Sequence, residues 1–298
     1  MRNLVSIADI TKNEIIEILD HAKKFKDGLT KKSLSGKVIG SCFFESSTRT
    51  RLSFETAVFR LGGNIIGFAD SGSTSLSGKG ESLTDTLRMV DSYADALIIR
   101  HPSDGAARLA SEICSIPVIN AGDGANQHPT QTLLDLFSIQ DSQGKLDGIN
   151  LGIMGDLKYG RAAHSLIYAA RHFKMRLYFI APQGLRMSDE HLFELKKSEV
   201  QYSFHTKVEE VISQLDCLYV TRLQKERFDN SLVFDNYVLQ LSDLKNAKTN
   251  LKILHPLPRI KELPTEIDNT PYAYYFQQVK NGLYVREALL DILLGNKL

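Results

Sequence analysis

The sequence predicts an α/β protein made of two doubly wound parallel-sheet domains with a cleft between them, joined by a long helix and closed by a C-terminal helix that returns to the first domain. Three observations predict it. Short apolar strands alternate with amphipathic helices in both halves of the 298-residue chain, the pattern of parallel sheets covered by helices. Gln143-Gly144-Lys145-Leu146-Asp147-Gly148 interrupts the alternation once, and a second series begins after it. Polar and basic residues collect just after the strands, where open α/β sheets bind ligands. The expected division is 1–130 for the first domain, with 284–298 packing back onto it, and 131–283 for the second.

Taken in order, residues 5–25 carry Ile10, Ile15, Ile18, Leu19, Ala22 and Phe25 at helical spacing, and Thr11 with Glu14 forms a capping-box pattern. Residues 37–44 are a short apolar strand that leads through hydroxyls and arginines into a helix over 50–61. Gly62-Gly63 ends that helix before a strand over 64–68, and a Ser/Gly-rich loop over 70–80 follows, with Lys79 near its end. Helix 81–93, strand 96–100, helix 104–113 and strand 117–121 complete the first series. A glycine turn over 122–129 then enters the long helix 130–141. In the second series the strands are 150–155, 176–181, 200–205, 215–221 and 251–254, and the helices 162–172, 188–197 and 208–213. An amphipathic helix over 282–293 closes the chain.

Composition removes several classes of function. A hydrophobic fraction of 43% argues against disorder. With a formal net charge of +1 and Lys and Arg scattered among acids, no broad basic face for nucleic acid is expected. Cys42, Cys114 and Cys217 have neither CxxC spacing nor a His at ligand distance, and are expected as reduced core thiols. No uncharged apolar run approaches the roughly 20 residues of a membrane helix, and no apolar leader core is seen at the N-terminus. A cytoplasmic protein without membrane contact is therefore expected.

The stretch 42–55 reads as an anion cradle. A helix start presents backbone N–H groups and a positive dipole end; Ser47, Thr48 and Thr50 add hydroxyls, and Arg49 adds a planar fork suited to two phosphate oxygens. The same Ser-Ser-Thr also fits ordinary N-capping, and Arg51 fits a solvated surface charge. Further along, Arg100 and His101, His128, Asp156, Lys158 and Arg161, Thr221, Arg222, Gln224 and Lys225, and His255 to Arg259 each follow a strand. Arginines at the strand ends of both halves suit a cleft for several anionic groups. Singly, Arg100 or Arg222 fits a structural salt bridge, His128 fits a helix cap, and the loop at Lys79 fits a solvated loop. Gly152 to Gly160 lacks the GxGxxG spacing, which disfavours a dinucleotide-dependent oxidoreductase.

The run Ser47-Thr48-Arg49-Thr50-Arg51 resembles the carbamoyl phosphate signature of the carbamoyltransferases. Thr74-Ser75-Leu76-Ser77-Gly78-Lys79-Gly80-Glu81, Arg100-His101-Pro102, Asn126-Gln127-His128-Pro129-Thr130-Gln131, Gly155 to Arg161, Thr221 to Arg227 and His255-Pro256-Leu257-Pro258-Arg259 resemble that family's aspartate-specific catalytic chains, in the same order. Ornithine-specific members typically carry His-Cys-Leu-Pro where this chain has His255-Pro256-Leu257-Pro258. The resemblance implies that Ser47, Thr48, Arg49 and Thr50, helped by Arg100, hold the phosphate of carbamoyl phosphate in the first domain. It implies that Thr50, Arg100 and His128 face the carbonyl oxygen, and that Gln131 with the backbone carbonyls of Pro256 and Leu257 accepts from the carbamoyl NH2. Arg161, Arg222 and Gln224 of the second domain would receive the two carboxylates of aspartate. Arg49, Thr50, Lys79, Arg100 and His128 are the catalytic set it implies. Ser75 and Lys79 would reach the active site of a neighbouring chain in a homotrimer, no metal or organic cofactor is implied, and there is room for a separate regulatory chain. A carbamoyltransferase acting on ornithine or a related amine is the close alternative; an inactive homologue serving an assembly is the distant one.

Overall fold

An unbroken apolar strand is stable where helices cover both of its faces. In the computed structural model, which describes residues 2–70, 72, 79–224 and 237–295, that condition is met in two units, Met1–Leu134 with Lys280–Leu298, and Asp135–Val279.

The first unit holds α1 (Lys12–Lys26), β1 (Val38–Phe43), α2 (Thr48–Arg60), β2 (Asn64–Phe68), α3 (Leu83–Asp91), β3 (Ala96–His101), α4 (Ala106–Ile113) and β4 (Val118–Asp123). All its strand pairs are parallel, in the order β2-β1-β3-β4. The capping box read from Thr11 and Glu14 is present at the start of α1. The crossovers β1 to β2 and β2 to β3 run in opposite senses along the sheet, so right-handed connections put α2 and α3 on opposite faces. Leu87 and Val90 of α3 and Ala107 and Ala110 of α4 pack with Cys42, Phe44, Leu97 and Ile99 in one core cluster. Phe54, Ala57 and Val58 are the buried side of α2, which contacts β1 and β2. As an edge strand, β2 has only exposed and half-buried residues, whereas β4 is buried throughout.

The second unit holds β5 (Asn150–Met154), α6 (Arg161–Ala170), β6 (Arg176–Ile180), α7 (Asp189–Lys197), β7 (Gln201–His205), β8 (Cys217–Val220) and β9 (Lys252–Leu254). Its strands are also parallel, in the order β7-β6-β5-β8-β9. Tyr178, Ile180, Leu215, Leu218, Val220, Ile253, Leu263 and Ile267 form the centre of its core. The chain passes into this unit within α5 (Pro129–Gln143) and leaves it within α8 (Tyr275–Leu294). In the first unit the last turns of α8 are pinned by His21 and Lys31, both on Asp291 Oδ2 at 2.6 and 2.8 Å, and by Arg286, 5.0 Å above the Phe54 ring.

Three expectations are corrected. The helix read over 5–25 starts only at Lys12, where Thr11 caps it, and Ile7–Asp9 form a separate 3-10 turn ended by extended Ile10. Residues 208–213 form no α-helix but two 3-10 turns, Val208–Glu210 and Ile212–Gln214, interrupted at Val211 with φ −134°. So short a segment cannot recover the cost of helix nucleation, and burial of Val208 and Ile212 fixes two separate turns. The last helix starts at Tyr275, not 282, and runs straight through Gly282. That glycine reads as a stop, but any Cβ there would lie 2.6 Å from Arg286 Nη1 and 3.1 Å from Leu134 Cδ2, so it is a close-packing position. Among the described residues, no helix is long and apolar enough to cross a membrane.

Candidate active site

Ligands of open parallel sheets sit at the carboxyl ends of the strands where the strand order reverses. In the first unit the chain steps from β1 out to β2 and returns past β1 to β3, so the reversal lies between β1 and β3. There Ser47, Thr48, Arg49 and Thr50 open α2, and Arg100 stands on β3 directly opposite Phe43. In the second unit the reversal lies between β5 and β8; Arg161 opens α6 after β5, and Arg222 and Gln224 follow β8.

The start of α2 differs from the capped starts of α1 and α3. Thr11 and Ser82 accept the amides of Glu14 and Asp85 through their hydroxyls, at 3.3 and 3.1 Å, and each of those helices has an acid in its first turn. Ser47 occupies the cap position of α2, yet its side chain makes no capping bond and the first turn contains no acid. Amides, hydroxyls and a positive dipole end are therefore not consumed by side-chain capping. Thr50 is buried, Thr48 and Arg49 are exposed, and Ser47 is half-buried. Arg51 pairs with Glu55 at 3.6 Å one turn on, the surface-charge role.

Arg100 is 8% exposed; Nη1 donates to the Ala121 carbonyl at 3.2 Å and Nη2 to Glu45 Oε1 at 3.3 Å. Burial pulls its pKa down, the nearby Arg49 charge pulls the same way, and Glu45 opposes both. Partial desolvation of its otherwise exposed side chain also lowers Arg49. A buried guanidinium whose charge is disfavoured by burial, with a second arginine nearby, leaves this edge receptive to an anion. His101, next on β3, is lowered by burial and accepts the Ser103 amide through Nδ1 at 3.0 Å.

His128 is buried at the end of the turn between β4 and α5, and its carbonyl accepts the Gln131 and Thr132 amides at 3.0 and 3.2 Å. The turn is built on Asp123, 1% exposed, whose Oδ1 accepts from Asn120 Nδ2 at 2.9 Å and the Gln127 amide at 3.2 Å. Its Oδ2 accepts from the Gly105 amide at 3.0 Å and Asn126 Nδ2 at 3.2 Å, tying the loop after β3 to the loop after β4. Gln131 is buried one turn into α5, and Lys79 is exposed; Ser75 and the segment from Lys225 to Arg227 lie outside the described residues.

In the second unit, Gly155 follows β5 with φ 125°, and a Cβ there would lie 2.2 Å from the Thr221 carbonyl oxygen. Asp156, fully buried, accepts the Lys158 and Tyr159 amides through Oδ1 at 3.1 and 2.9 Å and the Gln224 amide through Oδ2 at 3.1 Å. One carboxylate thus joins the turn leading to Arg161 with the segment carrying Arg222 and Gln224, both half-buried. After β9, Pro256 and Leu257 are half-buried; Leu257 sits at φ 54° and the Leu257-Pro258 peptide is cis. The left-handed region costs a non-glycine residue about 1–2 kcal/mol. The Leu257 amide donates to His255 Nδ1 at 2.8 Å, and Arg259 is held by Asp268.

Sequence reasoning found the arginines and hydroxyls, placed Asp156 only as a polar residue after a strand, and missed Glu45, which accepts from Arg100, and Asp123, which holds the turn before His128. For the acids, the usable signal is an Asp or Glu within a few residues of a strand end that otherwise gathers cations. The three cysteines are free and buried; burial pushes Cys42 and Cys217 up to about 12 and Cys114 up to about 11, so none is a thiolate nucleophile near neutrality. Among the described residues, no group of three or more His, Cys, Asp or Glu could hold a metal ion.

Two family models cover most of the chain. Residues 2–141 match the carbamoyl-P binding domain of the aspartate/ornithine carbamoyltransferases, and residues 147–293 match the Asp/Orn binding domain. The aspartate carbamoyltransferase catalytic subunit 2 of Shewanella halifaxensis (strain HAW-EB4) is 53% identical over 99% of this chain and 96% of its own length. Among solved structures, the catalytic subunit of M. Jannaschii aspartate transcarbamoylase superposes with a TM-score of 0.91 at 45% identity, covering 98% of each chain. Aspartate transcarbamoylase from Trypanosoma cruzi in complex with carbamoyl phosphate and aspartate gives 0.89 at 33% identity, covering 99% of this chain and 96% of its own.

Proposed function

The chain belongs to the aspartate/ornithine carbamoyltransferase family, and from that membership we propose its reaction and the residues that carry it. The enzyme transfers the carbamoyl group of carbamoyl phosphate to the amine of L-aspartate, giving N-carbamoyl-L-aspartate and phosphate, an early step of pyrimidine synthesis. The observation that carries the assignment of the first substrate is the start of α2: a helix terminus without side-chain cap or acid, beside Arg49 and Arg100 at the strand-order reversal.

The phosphate sits on the amides and side chains of Ser47, Thr48, Arg49 and Thr50, with Arg100. Thr50, Arg100 and His128 donate to the carbonyl oxygen. When the aspartate amine attacks the carbonyl carbon, that oxygen gains negative charge, and donors fixed beforehand stabilise the transition state more than the ground state. The bond from carbon to the phosphate oxygen then breaks, and phosphate takes the proton from the amine. Gln131 and the Pro256 and Leu257 carbonyls hold the carbamoyl NH2. Arg161, Arg222 and Gln224 take the two aspartate carboxylates, where an ornithine ammonium would face a cation.

The same reading makes residues 1–130 with 284–298 the carbamoyl phosphate-binding domain and 131–283 the aspartate-binding domain. It makes the protein a cytoplasmic homotrimer in which Ser75 and Lys79 serve a neighbouring chain's site, and it leaves room for a separate regulatory chain. These assignments rest on the resemblance of the motifs.

The test is ureido product formation from carbamoyl phosphate with aspartate and with ornithine. Product is expected with aspartate, and Arg49→Ala is expected to lower kcat/KM by roughly 100- to 1,000-fold, the scale of losing one fixed charge-stabilising donor. Folded wild-type protein that carbamoylates only ornithine would overturn the substrate assignment, and an unimpaired Arg49→Ala would overturn the phosphate site.

A further inference from the structure

The turn after β9 is held by a side chain that no substrate assignment touches. His255 is 1% exposed, and its Nδ1 accepts the Leu257 amide at 2.8 Å. A ring nitrogen that accepts an N–H carries no proton, so the imidazole proton is on Nε2. Nε2 lies 3.0 Å from Glu262 Oε1, to which it donates, and the same oxygen accepts the Ile260 amide at 3.1 Å. Leu239 in turn donates its amide to the Glu262 carbonyl at 2.9 Å, and the His255 amide donates to Gln278 Oε1 at 2.8 Å. Burial works against charge on Glu262, and the bonds from His255 and Ile260 outweigh it, so the carboxyl titrates below its usual range.

We infer that Glu262 is a positioning residue, acting through His255: it fixes the neutral Nε2–H tautomer, which holds Leu257 in its left-handed conformation and aims the Pro256 and Leu257 carbonyls. The inference rests on the reading above that those carbonyls receive the carbamoyl NH2. With the proton on Nδ1, the ring and the Leu257 amide would present two donors to each other, and a left-handed leucine persists only when its surroundings over-determine it. What Glu262 must supply is an acceptor at Oε1 rather than a charge. A glutamine can supply it; an alanine cannot.

The experiment uses the full-length enzyme labelled with 15N-histidine, with long-range 1H–15N correlation to read the two ring nitrogens, His255 being assigned by loss of its signals in His255→Gln. Wild type is expected to show an unprotonated Nδ1 and a protonated Nε2, and Glu262→Gln to keep both the pattern and kcat/KM for carbamoyl phosphate within about threefold. Glu262→Ala is expected to lose the single-tautomer pattern and about 10- to 100-fold in kcat/KM for carbamoyl phosphate, the scale of a misaimed contact. An Nδ1–H tautomer in wild type overturns the inference without any variant. So does a Glu262→Gln enzyme that falls more than tenfold, or a folded Glu262→Ala enzyme with mixed tautomers and wild-type kinetics. A wild-type enzyme that forms no carbamoyl-aspartate instead overturns the functional reading beneath it, whatever its tautomer.

Discussion

Asp123 shows what a single buried acceptor does at this site. Four neutral donors from three stretches of chain converge on its two oxygens, so replacing one oxygen with an NH2 group sets donors against donors. Asp123→Asn is expected to cost about 2–4 kcal/mol, read as a lower urea midpoint with unchanged slope, and to lower kcat because His128 rides on the same turn. A midpoint within error of wild type would refute this account of the turn. The residues legible from sequence were those whose chemistry announces itself, hydroxyls at a helix start and arginines after strands. Asp123 escaped, and Asp156 was legible only as one more polar residue after a strand, because an acid in a glycine-containing turn has the same sequence pattern whether its carboxylate faces water or, as here, a closed set of amides.

Among the elements, strands carried the strongest signal. Every strand expected in 37–44 through 251–254 is present within a few residues, the edge strands β2 and β7 included although neither is buried on both faces. What failed was the short and the interrupted: the turns at 208–214, too brief for period alone to fix, and the start of α8, hidden by a glycine kept for close packing. Which strands lie side by side was not legible, because order in a parallel sheet is set by crossovers and not by any local pattern. Gly155 tests the joint between β5 and β8. Gly155→Ala would force its Cβ against the Thr221 carbonyl at φ 125°, and is expected to cost at least about 2 kcal/mol and to raise KM for aspartate by spreading the segments that carry Arg161 and Arg222. Gly144, at φ 73° just past α5 with open space around it, is the control: Gly144→Ala should cost about 1 kcal/mol and leave kinetics unchanged. Equal effects of the two substitutions on KM would show that strain, and not the joint, is being read.

Over the whole molecule, charge sets a limit on the acid side in both units. Burial opposes the Asp291 charge, but Lys31, Ser33 and His21 outweigh it; burial likewise opposes Asp216, and Lys248 and the Asn150 amide outweigh it. Both carboxyls therefore titrate below the ordinary 3.8 in the folded protein. A depressed folded value means stabilisation that is complete above the unfolded value and lost as pH falls through the folded one, so these groups act below about pH 4. Thermal scans should give a midpoint that holds from about pH 7 to 5 and declines below about pH 4, with Asp216→Asn less stable at neutrality and less sensitive to acid. A wild-type midpoint unchanged down to about pH 3 would refute it. The path of the chain has a further consequence, for synthesis. The second unit is one continuous stretch, Asp135–Val279, while the first is split and includes Lys280–Leu298, whose Arg286 and Asp291 pack on Phe54, His21 and Lys31. On a ribosome the half that is begun first is thus the last to be completed: its sheet must wait, lacking its closing helix, until the other half has emerged entire.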